Sequence, residues 1–212
     1  MVETTKRIQD LASVGAFRTA MEEAFSGILE LPDYLPLQTQ IADLLAQQGR
    51  LEDAVNKYKL VARLYTLRGE AGQAVRLLTK AGQMVPMDIH IHRQLIDLLI
   101  SQGRTEEAID QYLETAQIYY QLADLDNTLE MYQNALRLSS KTPALRPTTV
   151  RILYKIADIN LQQVNWKSAI KVFEQIRTLE PEDIIARVHL VSLNYRLNQD
   201  LAGSREVEVF TQ

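Results

Sequence analysis

The side chains in this sequence best suited to chemistry are three histidines and a few paired acids. His90 and His92 stand two residues apart, with His189 far from both. At that spacing two side chains on a helix point in different directions, so no metal is expected there and both should lie at a solvated helix start. The acidic pairs Glu22/Glu23, Glu52/Asp53 and Glu106/Glu107 have the composition of acid–base dyads. They fall in opening turns or on the solvent side of predicted helices, where the helix dipole favours negative charge. Serines and threonines have no His and Asp companions at recognisable spacing. The 8 glycines form neither GxGxxG nor a Walker pattern. With no cysteine, disulfides, Cys-based zinc sites and thiol chemistry are excluded. The sequence therefore predicts no enzyme, no cofactor and no metal.

The bulk properties fit that reading. Of 212 residues, 46% are hydrophobic and 24% charged, enough apolar material for a continuous core in a soluble protein. Only 8 Gly and 6 Pro argue against an all-β or low-complexity chain. The net charge of −4 is spread, and no Lys/Arg run marks a phosphate-tracking surface, so nucleic acid is not expected as the main ligand. The segment Met1-Val2-Glu3-Thr4-Thr5-Lys6-Arg7 lacks the apolar core of a signal peptide, and no apolar run reaches the ~18 residues of a membrane span. A cytoplasmic protein without a membrane partner is expected.

One stretch organises the elements. Gln48-Gly49-Arg50-Leu51-Glu52-Asp53-Ala54, followed by Tyr58, Ala62 and Tyr65, returns as Gln102-Gly103-Arg104-Thr105-Glu106-Glu107-Ala108, followed by Tyr112, Ala116 and Tyr119. Each copy reads as a helix end, a turn closed by Gly in the left-handed conformation, and a helix start. Two helices are predicted between Thr4 and Leu31, meeting at Gly15. Others follow near Pro36–Gln48, Leu51–Arg68, Ala71 to Pro86, Ile89–Gln102, Thr105–Leu122 and Leu125–Leu138. The last four lie near Thr148–Gln163, Trp166–Thr178, Ile184–Leu197 and Asp200–Phe210, the final one weakened by Gly203. In the helix from Leu51, the stripe Leu51, Ala54, Val55, Tyr58, Val61, Ala62 and Tyr65 is flanked by Leu60, Leu64 and Leu67. So wide an apolar arc predicts a helix covered on two sides. Residues 35–88 and 89–142 align without gaps, an internal duplication of three helices with a period of about 54 residues. The segment Ser139–Pro147 reads as a loop joining sub-blocks 1–140 and 148–212 of a single solenoid, 1–212.

With these residues in place the chain resembles the tetratricopeptide repeat (TPR) family, whose unit is a helix–turn–helix of ~34 residues. The clearest copies are 35–68 (Ile41, Ala42, Leu45, Gly49, Ala54, Tyr58), 89–122 (Leu95, Leu99, Gly103, Ala108, Tyr112, Ala116) and 150–183 (Ile156, Ala157, Ala169, Phe173, Pro181). A second register also fits: 55–88 carries Tyr58, Ala62, Gly69, Ala74 and Pro86. The long helices at 51–68 and 105–122 thus serve two overlapping repeats, and an odd helix count reverses chain direction between copies. The resemblance implies an all-α, right-handed α-solenoid of stacked antiparallel helices, about 12 of them.

It also implies a partner-binding groove lined by the first helix of each repeat. The residues at those places are Thr39, Gln40 and Asp43; Arg93, Gln94 and Asp97; and Tyr154, Lys155 and Asp158. The Lys/Asn set with which some TPR proteins grip a carboxylate is missing, so that role is not carried over. Three recurring carboxylates would suit a protein or peptide segment of basic or mixed character. The expected function is a non-catalytic protein–protein interaction scaffold, part of a larger protein or complex. The alternative is a structural module forming a homo-oligomer through uncapped solenoid ends, since Glu206-Val207-Glu208-Val209-Phe210 offers no clear polar cap.

Overall fold

The computed structural model describes residues 2–199, 201–204 and 207. Among them no strand occurs, and the regular elements are α1 (Val2–Ser13), α2 (Phe17–Glu30), α3 (Leu35–Gln47), α4 (Leu51–Leu67), α5 (Ala71–Met84), α6 (Ile89–Ser101), α7 (Thr105–Gln121), α8 (Leu125–Ser139), a 3-10 turn (Pro143–Leu145), α9 (Arg146–Gln162), α10 (Trp166–Leu179) and α11 (Ile184–Arg196). The chain divides into two compact units, Met1–Arg104 with α1–α6 and Thr105–Gln212 with α7–α11. Within each unit, successive helices pack side by side as the antiparallel hairpins of a TPR-like α-solenoid, and α1 also touches α3.

The duplication is visible in the helix limits. α3, α4 and α5 start at Leu35, Leu51 and Ala71; α6, α7 and α8 start 54 residues later, at Ile89, Thr105 and Leu125. What repeats most closely is the turn. Gly49 and Gly103 have φ of +75° and +68°, which places them in the left-handed region where glycine carries no steric penalty. The next amide then reaches back across the helix end: Arg50 N–H donates to Leu45 O and Arg104 N–H to Leu99 O, both at 3.0 Å. The same closure recurs after Ala123, Val164 and Asn198, three non-glycine residues held at φ 57°, 58° and 55°.

Packing follows from small residues at the helix interfaces. Ala42, Ala54, Ala74, Ala108, Ala116, Ala135, Ala157 and Ala169 are all buried, which lets neighbouring helices approach closely. Tyr58 and Phe173 are the largest fully buried side chains, filling the space between hairpins.

Two expectations are corrected. The predicted stripe of α4 is buried except at its first residue, Leu51, which is 47% exposed, and its second flank is largely open: Leu64 is half-buried, Leu60 52% exposed and Leu67 75%. α3 and α5 both pack on α4 around the Ala54–Tyr58–Ala62 stripe, which leaves the opposite flank facing out. The segment from Ser139 to Pro147 is not a plain loop. α8 runs through Ser139, residues 143–145 form the 3-10 turn, and α9 begins at Arg146 with Pro147 in its first turn, where a missing amide costs nothing. Of the helix expected over Asp200–Phe210, residues 201–204 and 207 are helical and the remainder lies outside the described residues; a Cβ at Gly203 would stand 3.0 Å from the Tyr195 ring. Of the proposed uncapped end, Glu206 and Glu208–Phe210 lie outside the described residues.

Candidate interaction site

Asp43 on α3 accepts hydrogen bonds from the Tyr58 hydroxyl of α4 and the Lys80 ammonium of α5, and that ammonium also lies 5.3 Å from the Tyr58 ring centroid. Burial first, and then the bond to Asp43, push the Tyr58 hydroxyl's pKa well above the usual phenol range. Asp43 therefore ties three helices together and is no free carboxylate. Its neighbour Gln40 donates through Nε2 to Thr5 O at 2.7 Å, while its Oε1 is buried without a partner. Thr39 donates to Leu35 O at 3.1 Å, within its own helix. Gln40 and Asp43 line a cleft of about 470 Å³ that Ile8 and Gln9 of α1 close on one side.

Gln94 and Asp97 lie elsewhere. Both are exposed on α6, as is Arg93, and they face Leu60, Arg63 and Leu67 of α4 across a cleft of about 640 Å³ floored by Leu78 of α5. In a stack of antiparallel hairpins alternate helices share a layer. The first unit accordingly has α1, α3 and α5 in one layer and α2, α4 and α6 in the other. α6, the first helix of the second copy, thus lies in the other layer of this unit from α3, and Asp43 and Asp97 line different clefts.

Tyr154, Lys155 and Asp158 belong to the second unit. Lys155 and Asp158 are exposed on α9. The Tyr154 hydroxyl donates to both carboxylate oxygens of Asp183, at 2.7 and 2.8 Å, and its ring meets Phe173 edge-on at 6.2 Å. Burial, then the Asp183 bond, raise the Tyr154 pKa as well.

The histidines are placed differently from expectation in one case. His90 is exposed, with its amide held by the Asp88 side chain that caps α6. His92 is not solvated: it is 7% exposed, with Nε2 at 2.9 Å from Pro86 O, because its side of α6 turns toward α5. His189 stacks on Phe173 with centroids 4.5 Å apart. Among the described residues no three His, Cys, Asp or Glu side chains converge as a metal site. The acidic pairs are partly neutralised at the surface, Glu22 by Arg18, Glu23 by Arg7 and Asp53 by Arg50.

Sequence reasoning missed the exposed leucines. Leu60 and Leu67, with Phe25 (55% exposed) and Leu29 on α2, form an uncovered apolar surface in the α2/α4/α6 layer. Helical spacing marked them as apolar, but spacing alone does not tell a flank met by a neighbour from one that is left open.

Several solved structures are similar in outline. The MamA protein matches with a TM-score of 0.40 and 13% identity, over 73% of this chain and 88% of that one. BtubC (BKLC) from P. vanneervenii matches at 0.45 and 13%, over 92% and 87%. A Podosopora anserina kinesin light chain with nearly identical TPR-like repeats matches at 0.44 and 14%, over 84% and 94%. No curated protein matches the sequence. Residues 84–192, just over half of the chain, match the profile described as soluble NSF attachment protein, SNAP. The helical-repeat chain described here thus belongs to the SNAP family.

Proposed function

We propose that this chain is a non-catalytic protein–protein interaction scaffold that seats a peptide or protein segment in the cleft between α4 and α6. The observation that carries the reading is the pair Leu60 and Leu67, apolar side chains left open beside Gln94 and Asp97 on the facing helix. Apolar anchors inside a polar rim are the usual anatomy of a peptide groove. Arg63 and Asp97, one on each wall, have no charged or hydrogen-bonded partner among the described residues. A segment that presents a basic residue to Asp97 would fit. The preformed walls keep the ordering cost of binding low. A family named for attachment to another protein is consistent with this use. Among the described residues no helix is long and apolar enough to cross a membrane, and we place the scaffold's work in the cytoplasm as part of a larger assembly.

A photo-crosslinking residue at Leu67, compared with one at Gln9 in the other layer, tests the site. Capture of a partner from Leu67 that is lost on Leu60→Glu/Asp97→Lys supports it; equal capture from Gln9 sinks it. The open surface of Phe25 and Leu29 also favours a second reading, self-association through this layer. Light scattering across concentration separates the two.

A further inference from the structure

The second unit holds a cleft of about 810 Å³ in which none of the predicted partner-binding residues takes part. It lies between the last turn of α8, the 3-10 turn leading into α9, and the C-terminal half of α10. Its lining includes the apolar side chains Leu136, Leu153 and Leu179, with Pro143 at the edge. The hydroxyls there are internally paired: the single Thr149 hydroxyl proton lies within reach of Ser139 Oγ at 3.1 Å and of Leu145 O at 3.0 Å, and Ser139 Oγ donates to Leu136 O. Around this lining stand three exposed cations from three elements, Arg137 of α8, Arg146 of α9 and Lys171 of α10. Arg137 bonds only the neutral amide of Asn134, and Arg146 and Lys171 have no partner among the described residues. Glu174 is the single carboxylate in the lining. In a chain whose net charge is −4, this is a local excess of positive charge over an apolar base.

We infer that this cleft binds an acidic peptide segment, with an apolar side chain seated on the leucines and flanking Asp or Glu carboxylates facing Arg137, Arg146 and Lys171. Guanidinium groups pair with carboxylates in a bidentate fork, and the positive rim would steer an acidic chain toward the cleft. The volume, about 810 Å³, falls in the ~300–1,000 Å³ range of pockets that enclose a drug-sized ligand, room for a short peptide segment. A bare phosphate would leave the leucines unused, and single-stranded nucleic acid would need aromatic stacking platforms, which this lining lacks. The positions differ from the inner places of first helices, since Arg137 and Lys171 sit on second helices of their repeats and Arg146 precedes its repeat. The site is independent of the α4/α6 cleft.

The test uses the full chain and fluorescence anisotropy with a short labelled peptide in which leucine is flanked by Glu and Asp. A charge-inverted Lys peptide and a phosphoserine peptide serve as comparisons. The acidic peptide should bind, weaken as salt is raised, and lose about tenfold or more in affinity with Arg146→Glu/Lys171→Glu. Lys167→Glu, an exposed charge on α10 outside the cleft, should leave binding unchanged, and Glu174→Gln should tighten it. If the double reversal melts early by circular dichroism, Arg146→Gln/Lys171→Gln is read in its place. Equal binding of the Lys peptide, equal losses from Lys167→Glu, or binding of the phosphoserine peptide alone would each overturn the proposal.

Discussion

Tyr154 and Asp183 are joined twice over: the phenol hydroxyl of α9 reaches both oxygens of the carboxylate that caps α11. The same Asp183 accepts the Ala186 amide at 2.9 Å, so one side chain fixes both the start of α11 and its link to α9. Replacing Asp183 by Ala removes a cap and strands a half-buried hydroxyl. The expected cost is about 2 kcal/mol, against about 1 kcal/mol for Tyr154→Phe. Urea unfolding of both single mutants and the double mutant reads this out. The double should cost less than the two singles combined, since they share a bond; strict additivity would contradict the coupling.

The left-handed turn residues give a prediction of opposite sign. Val164 is β-branched, 64% exposed and held at φ 58°, where a side chain crowds its own backbone. Val164→Gly should stabilise the chain by about 1 kcal/mol, raising the melting temperature by roughly 2–4 °C. Gly49→Ala should destabilise by about the same amount, although no atom lies within 4 Å of the new methyl. A melting curve for each variant suffices, and an unchanged Val164→Gly protein would count against the strain.

Alkaline pH should unfold this protein through its tyrosines. Tyr58 and Tyr154 hold their protons to higher pH when folded, because burial and an aspartate acceptor both disfavour the phenolate. In the unfolded chain tyrosine ionises near pH ~10. The stability these bonds contribute is complete below that value and is lost as pH rises toward the folded one. The urea midpoint should therefore fall above about pH 10, and fall less steeply in Tyr58→Phe/Tyr154→Phe. The raised pKa values of Tyr65 and Tyr132, also caused mainly by burial, should leave some residual slope in the double mutant.

The open leucines should be cheap to change. Leu67→Lys is expected to alter stability by no more than about 0.5 kcal/mol, as for other surface positions, whereas Phe173→Ala should cost about 3–5 kcal/mol. Chemical denaturation distinguishes them. A large loss from Leu67→Lys would mean that this flank is covered after all.

Helix starts and stops were legible because they are local chemistry. Gly49 and Gly103 mark turns by backbone conformation, and Pro36 falls in a first turn, where proline is tolerated; Pro147, read as the end of a loop, lies instead in the first turn of α9. The ends after Ala123 and Val164 carried no glycine, yet the apolar period stopped there, and the same turn closes them. Burial of His92 and exposure of Leu60 were not legible, because each depends on which side of a helix its neighbours occupy. The residues expected to line a partner groove suffered most from this. Gln40 and Asp43 share places with Gln94 and Asp97 in the sequence pattern, but Lys80, distant in the chain, decides that Asp43 is already engaged. No spacing rule reveals that lysine.

The three-helix period has a consequence for valency. Copying an even number of helices would set equivalent sites in a row, suited to gripping one long ligand repeatedly. Copying three puts corresponding first helices in opposite layers, so Gln40 and Asp43 end up in one layer of the first unit and their counterparts Gln94 and Asp97 in the other. The ancestral surface is then not multiplied. It is split into two sides free to diverge, one where Lys80 engages the carboxylate and one left open with leucines, so the proposed scaffold would present the open site once and gain no avidity from the repeat.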